Sequence, residues 1–377
     1  MKKKKQKQKV KMNVSDPIPS DLLMDIFSRV PAKSIFRFRC LSKFWRSTLG
    51  LPYFTELFLT KSLARPRLLF AIQVGKELLF FSSPQPQNPA DNSTLVATPY
   101  NMSFPRKYQV DIRTTLSGQV FLYEWQRKEW LICNPVTGES STITLPEVKA
   151  KGSVRRCYVG YDQINKQFKV LCTTWSHNGE ANTHRVLTLG SSGKPLWRSI
   201  ECNINISRHK GAHYVAGEIC INGVVYCGAH YIEGSCMMVC FDFCSEIFSF
   251  IKIDEGVLRG TLVNYKGKLG VLGKDKYQLM LWVLEEDAGK HKWSKSLCVG
   301  SRIRLFERIG DNFHILGMTG AGEIVLRPHR SKHFYIVYYN IERDTFTRVN
   351  IQGFEQFKDP NITPRTFLDY VENIKLL

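Results

Sequence analysis

The sequence predicts a mostly β protein that opens with a small α module, and three observations carry this. Apolar residues recur at helical spacing only between about 18 and 60. From about 105 onward, short β-branched and aromatic runs alternate with turns rich in Gly, Asn and Asp, the pattern of an all-β sandwich or propeller. No long helical period interrupts that series, which disfavours an α/β layout. The expected divisions are a basic tail (1–16), a helical module (17–60), a linker with the first strands (61–104), a β-repeat domain (105–357) and a C-terminal segment (358–377).

In the helical module, Pro19-Ser20-Asp21 suits a helix start, since Pro tolerates the first turn and Asp favours the positive end of the helix dipole. Leu22, Leu23, Ile26, Phe27 and Val30 follow at helical spacing and form one apolar face. Pro31 ends that helix and begins the next, which carries Ile35, Phe36 and Phe38 between Lys33, Arg37 and Arg39. Ser42 is placed to cap a third short helix with Phe44, Trp45 and Leu49, and Pro52 restarts the chain. About forty residues cannot bury all these aromatics alone, so an apolar partner is expected, in cis or in trans.

Residues 82–94, rich in Ser, Pro, Gln and Asn, read as an exposed loop. Beyond them lie strand runs such as 119–125, 130–134, 168–173, 185–189, 237–241, 279–284 and 334–339. Turn signals separate these runs: Val136-Thr137-Gly138, Asp162 to Asn165, Ile221-Asn222-Gly223 and Tyr265-Lys266-Gly267. A strand–turn–strand unit recurs loosely at 133–146, 241–250 and 339–348. A repeat of about 40 to 50 residues favours propeller blades over a sandwich.

The formal net charge is +20. Seven lysines lie among the first eleven residues; without them the 53 basic residues fall to 46, against 33 acidic. Like charges with nothing to bury predict a disordered tail, and such runs act as nuclear import signals or touch nucleic acid. No apolar run is long enough for a membrane span, and no apolar stretch follows the lysines as in a secretory signal. Eleven cysteines, an odd number without tight repeated spacing, then read as reduced thiols of the nucleus and/or cytoplasm.

The helical segment resembles an F-box. The residues that carry the resemblance are Ile18-Pro19, Leu22-Leu23, Ile26-Phe27, Arg29-Val30-Pro31, Lys33-Ser34-Ile35, Arg37, Arg39-Cys40-Leu41-Ser42-Lys43 and Trp45. The remainder resembles the plant F-box-associated domain (type 3/type 1-like), an irregular β-propeller-like, kelch-like domain. Its stretches occur in family order: Asn134-Pro135-Val136-Thr137-Gly138, Gly160-Tyr161-Asp162, Pro195-Leu196-Trp197-Arg198, Ile221 to Tyr226, Phe241-Asp242-Phe243, Tyr265 to Leu269 and Ile351-Gln352-Gly353-Phe354. The resemblance implies a non-catalytic substrate-recognition subunit of an SCF-type ubiquitin ligase. Its F-box would dock to a Skp-like adaptor, and through it a cullin, while its β domain holds a target protein. Implied adaptor contacts are Leu22, Leu23, Ile26, Val30, Pro31, Ile35 and Trp45 as anchors, with Pro19, Arg39, Cys40 and Lys43 beside them. Some of these must instead form the module's own core.

The residues offer little chemistry of other kinds. Cys236, Cys240 and Cys244 sit in strand-like surroundings, where four residues span about 13 Å, too far for one zinc ion. No cofactor is expected: phosphate-binding loops, G-x-G-x-x-G, H-E-x-x-H and G-x-S-x-G motifs do not occur. His177 and His184 read as solvated loop histidines. Arg155-Arg156 and the basic run from Arg327 to Lys332 read as solvated loops or as contacts for an acidic target. Trp125, Trp175 and Trp197 read as core rather than as a recognition surface. The alternative function is a basic nucleic-acid-binding protein, disfavoured because the charges outside the tail form no stripe; a glycan-binding or hydrolase propeller lacks a carboxylate pair.

Overall fold

The computed structural model describes residues 18–105, 110–124, 126–146, 154–175, 183–190, 196–202, 217–232, 235–253, 257, 260–274, 279–287, 290–297, 313–329, 333–357 and 364–375. The chain divides into two units, one ending at Ala64 and one beginning at Arg65.

The first unit holds four helices: α1 (Ser20–Ser28), α2 (Ala32–Leu41), α3 (Lys43–Thr48) and α4 (Pro52–Leu63). Their ends lie where local chemistry puts them. Pro19 and Pro31, both in extended backbone, immediately precede α1 and α2, and Pro52 occupies the first turn of α4. Ser42 caps α3, its Oγ accepting from the Trp45 backbone N–H at 3.2 Å. The fourth helix runs three residues past the expected boundary at 60.

The second unit is a six-bladed propeller. Blade 2 is β5 (Val110–Leu116), β6 (Gln119–Glu124), β7 (Glu129–Cys133) and β8 (Ser140–Ile143) in sequence order. Blade 3 is β9 (Val154–Asp162), β10 (Gln167–Trp175), β11 (Thr183–Thr188) and β12 (Arg198–Ile200). Blade 4 is β13 (Glu218–Ile221), β14 (Val224–Ile232), β15 (Ser235–Asp242) and β16 (Ile247–Lys252). Blade 5 is β17 (Gly260–Tyr265), β18 (Lys268–Lys274), β19 (Leu279–Asp287) and β20 (Lys290–Leu297). Blade 6 is β21 (Phe313–Met318), β22 (Ile324–Pro328), β23 (Tyr335–Asn340) and β24 (Thr345–Gln352), with β3 (Ser93–Val96) added in parallel at its outer edge.

Blade 1 is made from both ends of the domain. Its strands are β1 (Arg67–Val74), β2 (Glu77–Pro84) and β4 (Thr98–Pro105), and its innermost strand is β25 (Arg365–Tyr370), antiparallel to β1. The strands at 67–105 and 365–370 thus belong to the propeller. From sequence, 61–104 reads as a linker with the first strands and 365–370 falls in a C-terminal segment, because each end of the domain supplies only part of a blade. Part of the Pro- and Gln-rich stretch at 82–94 is likewise structured, with Ser82 and Ser83 buried in β2 and Ser93 opening β3.

The core is six apolar layers, one between each pair of neighbouring blades, and the layer between blades 6 and 1 completes the circle. Blade 1 shows how one strand serves two layers. Leu68, Phe70 and Ile72 face blade 6, while Leu69 and Ala71 face blade 2. A blade covered on both faces needs near-continuous apolar strands rather than alternation.

The end of β25 and the residues after it lock the circle. Tyr370 donates its hydroxyl to the Gly118 carbonyl at 3.3 Å, Asn373 donates to the Ser117 carbonyl at 2.8 Å, and Asn134 donates to the Asn373 carbonyl at 2.9 Å. Gly118 sits at φ +83°, and a Cβ there would meet Asn373 at 2.4 Å, so the close passage of the tail requires glycine.

Candidate functional site

The helical unit exposes a row of apolar side chains. Leu22 and Ile26 lie four residues apart, hence on one face of α1, and are 53% and 50% exposed; Ile18, just before the helix, is 54% exposed. Leu41 and Phe44 are more exposed still, at 70% and 62%. Large apolar groups clustered on so small a unit mark an interaction surface.

The expected contact residues fall into three groups. Leu22, Ile26, Pro19, Pro31, Cys40 and Lys43 are exposed. Leu23, Val30, Arg39 and Trp45 are half-buried. Ile35 is fully buried, as are Ala32, Leu49, Phe54 and Phe58. Its position therefore corrects the expectation of an anchor, because a residue already packed has no surface left to offer. Trp45 is also engaged: its indole packs edge-on against Phe27 at 4.9 Å, and Phe27 packs on Phe38 at 4.9 Å. Arg39 is occupied in joining helices, its Nε donating to the Leu49 carbonyl at 3.1 Å and its Nη2 to the same oxygen. Asp25 on α1 pairs with Arg29 at that helix's end at 2.9 Å and reaches Lys61 on α4 at 3.3 Å, tying the two helices. Ile18, Leu41 and Phe44 were not among the expected contacts. Their signal was available: each is a large apolar residue one turn from an expected contact.

The propeller's channel is walled by its six innermost strands, β25, β5, β9, β13, β17 and β21, each beside the next around the ring. On one face of the propeller the turns between first and second strands are tight. Asp162 shapes one of them, its Oδ1 accepting from the Ile164 and Asn165 backbone N–H groups at 3.0 Å. Beneath it lies a buried charge cluster bridging blades 3 and 4. Lys169 Nζ reaches Asp162 at 2.8 Å, Glu246 at 2.9 Å and the Phe243 carbonyl at 2.8 Å, and Arg198 forks onto Glu246 at 2.7 and 2.9 Å. Burial pushes the Asp162 carboxyl up, but the hydrogen bonds from Asn165 and Lys169 outweigh it and hold it well below the usual range. This is a structural clamp: every group in it is saturated by its neighbours.

Several sequence expectations take definite places. His184 is not a solvated loop residue. It lies buried in β11, hydrogen-bonded to Thr173 Oγ1 at 3.1 Å with its ring 4.8 Å from Phe248, and burial lowers its pKa to about 4. Trp197 packs against the layer between blades 2 and 3 and donates to the Thr144 carbonyl at 2.8 Å. Cys236 and Cys240 lie on β15, a strand, and Cys244 in the turn after it. Arg327 is half-buried and donates to the Pro364 carbonyl at 3.4 Å, while Arg156 is exposed. The side chains of Trp125, Arg155 and Trp175, and residues His177 and 330–332, lie outside the described residues. Among the described residues, no helix is long and apolar enough to cross a membrane.

Comparison with known proteins accounts for both units. Residues 17–57 match the F-box domain, and residues 67–371 match the F-box associated beta propeller domain. The putative F-box protein At1g53370 of Arabidopsis thaliana is 50% identical, over 97% of this chain and 94% of its own length. The F-box protein DOR of the same plant is 45% identical, over 96% of this chain and 94% of its own. The F-box protein At5g65850, also from Arabidopsis thaliana, is 39% identical, over 97% and 92%. A chain so matched along nearly its whole length belongs to the family of F-box proteins that carry an F-box associated beta propeller.

Proposed function

We propose that this chain is the non-catalytic, substrate-recognition subunit of an SCF-type ubiquitin ligase. Its helical unit docks to a Skp-like adaptor, and through it a cullin, and its propeller holds a protein target. The observation that carries the reading is the exposed pair Leu22 and Ile26 on α1, with Ile18, Leu41 and Phe44 exposed elsewhere on the same unit: apolar area that needs a partner, on a unit matched to the F-box. Binding energy at such a surface concentrates in a few anchors. Leu22 and Ile26 are the first choice, with Pro19, Leu23, Val30, Pro31, Cys40, Lys43 and Trp45 around them. The lysines of the first eleven residues are the basis for placing the protein in the nucleus and/or cytoplasm.

The test is co-purification of the full chain with a Skp-like adaptor, comparing wild type with Leu22→Asp/Ile26→Asp. Both side chains are half-exposed, so the variant keeps its fold, which the propeller's melting transition checks. Two charges in a buried contact should weaken binding at least a hundredfold. A well-folded wild type that fails to bind the adaptor removes the reading, and so does a variant that binds as well as wild type.

A further inference from the structure

The mouth of the propeller channel carries a second concentration of charge. The innermost strands all begin on the face opposite the tight first turns, and four of them place a charged residue near that start. These are Asp111 and Arg113 on β5, Arg156 on β9, Glu218 on β13 and Arg365 on β25. Ile112, between the two on β5, is buried in the layer between blades 1 and 2, so its neighbours turn to the other side of the strand. A register shift between Ile112 and Thr114 rotates Arg113 further.

These groups converge. Arg365 reaches across from blade 1 to Asp111 Oδ1 at 3.0 Å, and Arg113 Nε lies 3.2 Å from Asp111 Oδ2. Both carboxylate oxygens of Asp111 are thus occupied by guanidinium groups. Blades 1 and 4 stand opposite each other in a ring of six, yet Glu218 on blade 4 feels Arg365 on blade 1 as well as Arg113, Arg156 and Asp111. With Arg365 and Arg113 both held at Asp111, and Arg156 and Glu218 near the starts of the neighbouring innermost strands, these charges gather around one end of the channel. Burial is the main force on the Glu218 carboxyl and raises its pKa to about 7, so near neutral pH it supplies only part of a negative charge.

Among the described residues the balance is positive: three guanidiniums face one carboxylate already paired with two of them and one half-neutral carboxyl. Arg156 is exposed, and among the described residues no carboxylate lies within ion-pair distance of it. A fork-shaped cation in a concave, partly desolvated wall suits an oxyanion with two or more oxygens, which it grips bidentately.

We propose that the channel mouth around Arg156, Arg113 and Arg365 is a receptor site for an anionic side chain, phosphate or carboxylate, on the target protein. This rests on the reading of the propeller as the target-binding part and names the chemistry that part recognises.

The test uses the full chain, alone and together with a Skp-like adaptor, and three degenerate peptide pools identical except at one central position: phosphoserine, glutamate or serine. The expected result is retention of the phosphoserine or the glutamate pool at least tenfold above the serine pool, and which of the two identifies the source of the anion. Arg156→Gln should abolish that preference, Arg156→Lys should restore part of it, and Lys266→Gln, an equal loss of charge on an exposed turn between β17 and β18, should leave it intact. Equal retention of all three pools overturns the proposal, as does a preference that survives Arg156→Gln or is lost equally in Lys266→Gln. A chain that binds its adaptor but shows no anion preference refutes this site alone and leaves the receptor reading standing. A chain that shows the preference but binds no adaptor does the reverse.

Discussion

The clamp between blades 3 and 4 makes a quantitative prediction. Lys169→Ala removes the only cation that touches Asp162 directly, among the described residues, and leaves that carboxylate in a site with no exposure. Lys169 itself is 7% exposed and Glu246 16%, so neither charge is rescued by water. Breaking a buried pair from one side costs about 3–5 kcal/mol, because the remaining charge is uncompensated. At this chain length each kcal/mol moves the melting temperature by about 2 °C, so the midpoint should fall by on the order of 6–10 °C. Circular dichroism at 218 nm, at matched scan rates, measures it. Neutralising the cluster together, with Lys169→Met, Asp162→Asn and Glu246→Gln, should recover most of the loss, since the one charge left, Arg198, is 49% exposed and reaches water. The pH dependence has a definite sign. Asp162 is depressed despite burial, and Glu246 is depressed chiefly by Arg198, with Lys169 adding to it. Groups with lowered folded pKa stabilise above their unfolded values, near 4, and lose that contribution as pH falls through the folded ones. The Lys169→Ala penalty should therefore shrink in acid. A melting temperature within about 2 °C of wild type at pH 7 would refute the reasoning, for it would mean that water reaches Asp162.

Two further perturbations probe other contacts of the ring. Glu218 has its folded pKa raised from 4.5 to about 7, chiefly by burial, with Asp111 adding and Arg113, Arg156 and Arg365 opposing; the buried Cys227 thiol and Tyr158 hydroxyl share its surroundings. A raised carboxyl stabilises the fold fully below 4.5 and is lost as pH rises through 7, a contribution of up to ~3 kcal/mol. Glu218→Gln should accordingly gain on wild type between pH 5 and pH 8 in urea titrations; using the difference cancels His184, whose lowered pKa acts with opposite sign. Constant spacing between the two curves would show that Glu218 is solvated. Gly160→Ala would drive a Cβ to within 2.0 Å of the Phe243 ring, itself fully buried, and overpacking of that kind should cost about 3 kcal/mol. Phe243→Leu should then relieve the second substitution in part, and additive losses in the double variant would refute the contact.

What the sequence made legible was local. Pro31, Ser42 and Pro52 mark helix boundaries through their own backbone chemistry, and Asp162, Asn222-Gly223 and Lys266-Gly267 make turns through theirs, so these features required no knowledge of the rest of the chain. The closing strand was not legible, because nothing in residues 365–370 says that their partner is β1, nearly 300 residues earlier. Helical spacing put Ile35 on the apolar stripe without saying whether that stripe faced inward, and the structure buries it. His184 was hidden by polar neighbours, although strand alternation turns it inward beside Val186. The channel cluster was illegible for a different reason. Its five charges lie between residues 111 and 365, each unremarkable in its own segment, and only the circular arrangement of blades brings them together.

The way blade 1 is assembled bears on how the protein is made. During translation, β1, β2 and β4 are among the first strands to emerge, yet their innermost neighbour is made nearly 300 residues after β1. Until then the nascent chain carries an open edge on β1. Such edges invite pairing with other chains. A premature stop codon before Arg365 would therefore not yield a shorter receptor. It would yield an unclosed ring, fit for chaperone capture or disposal.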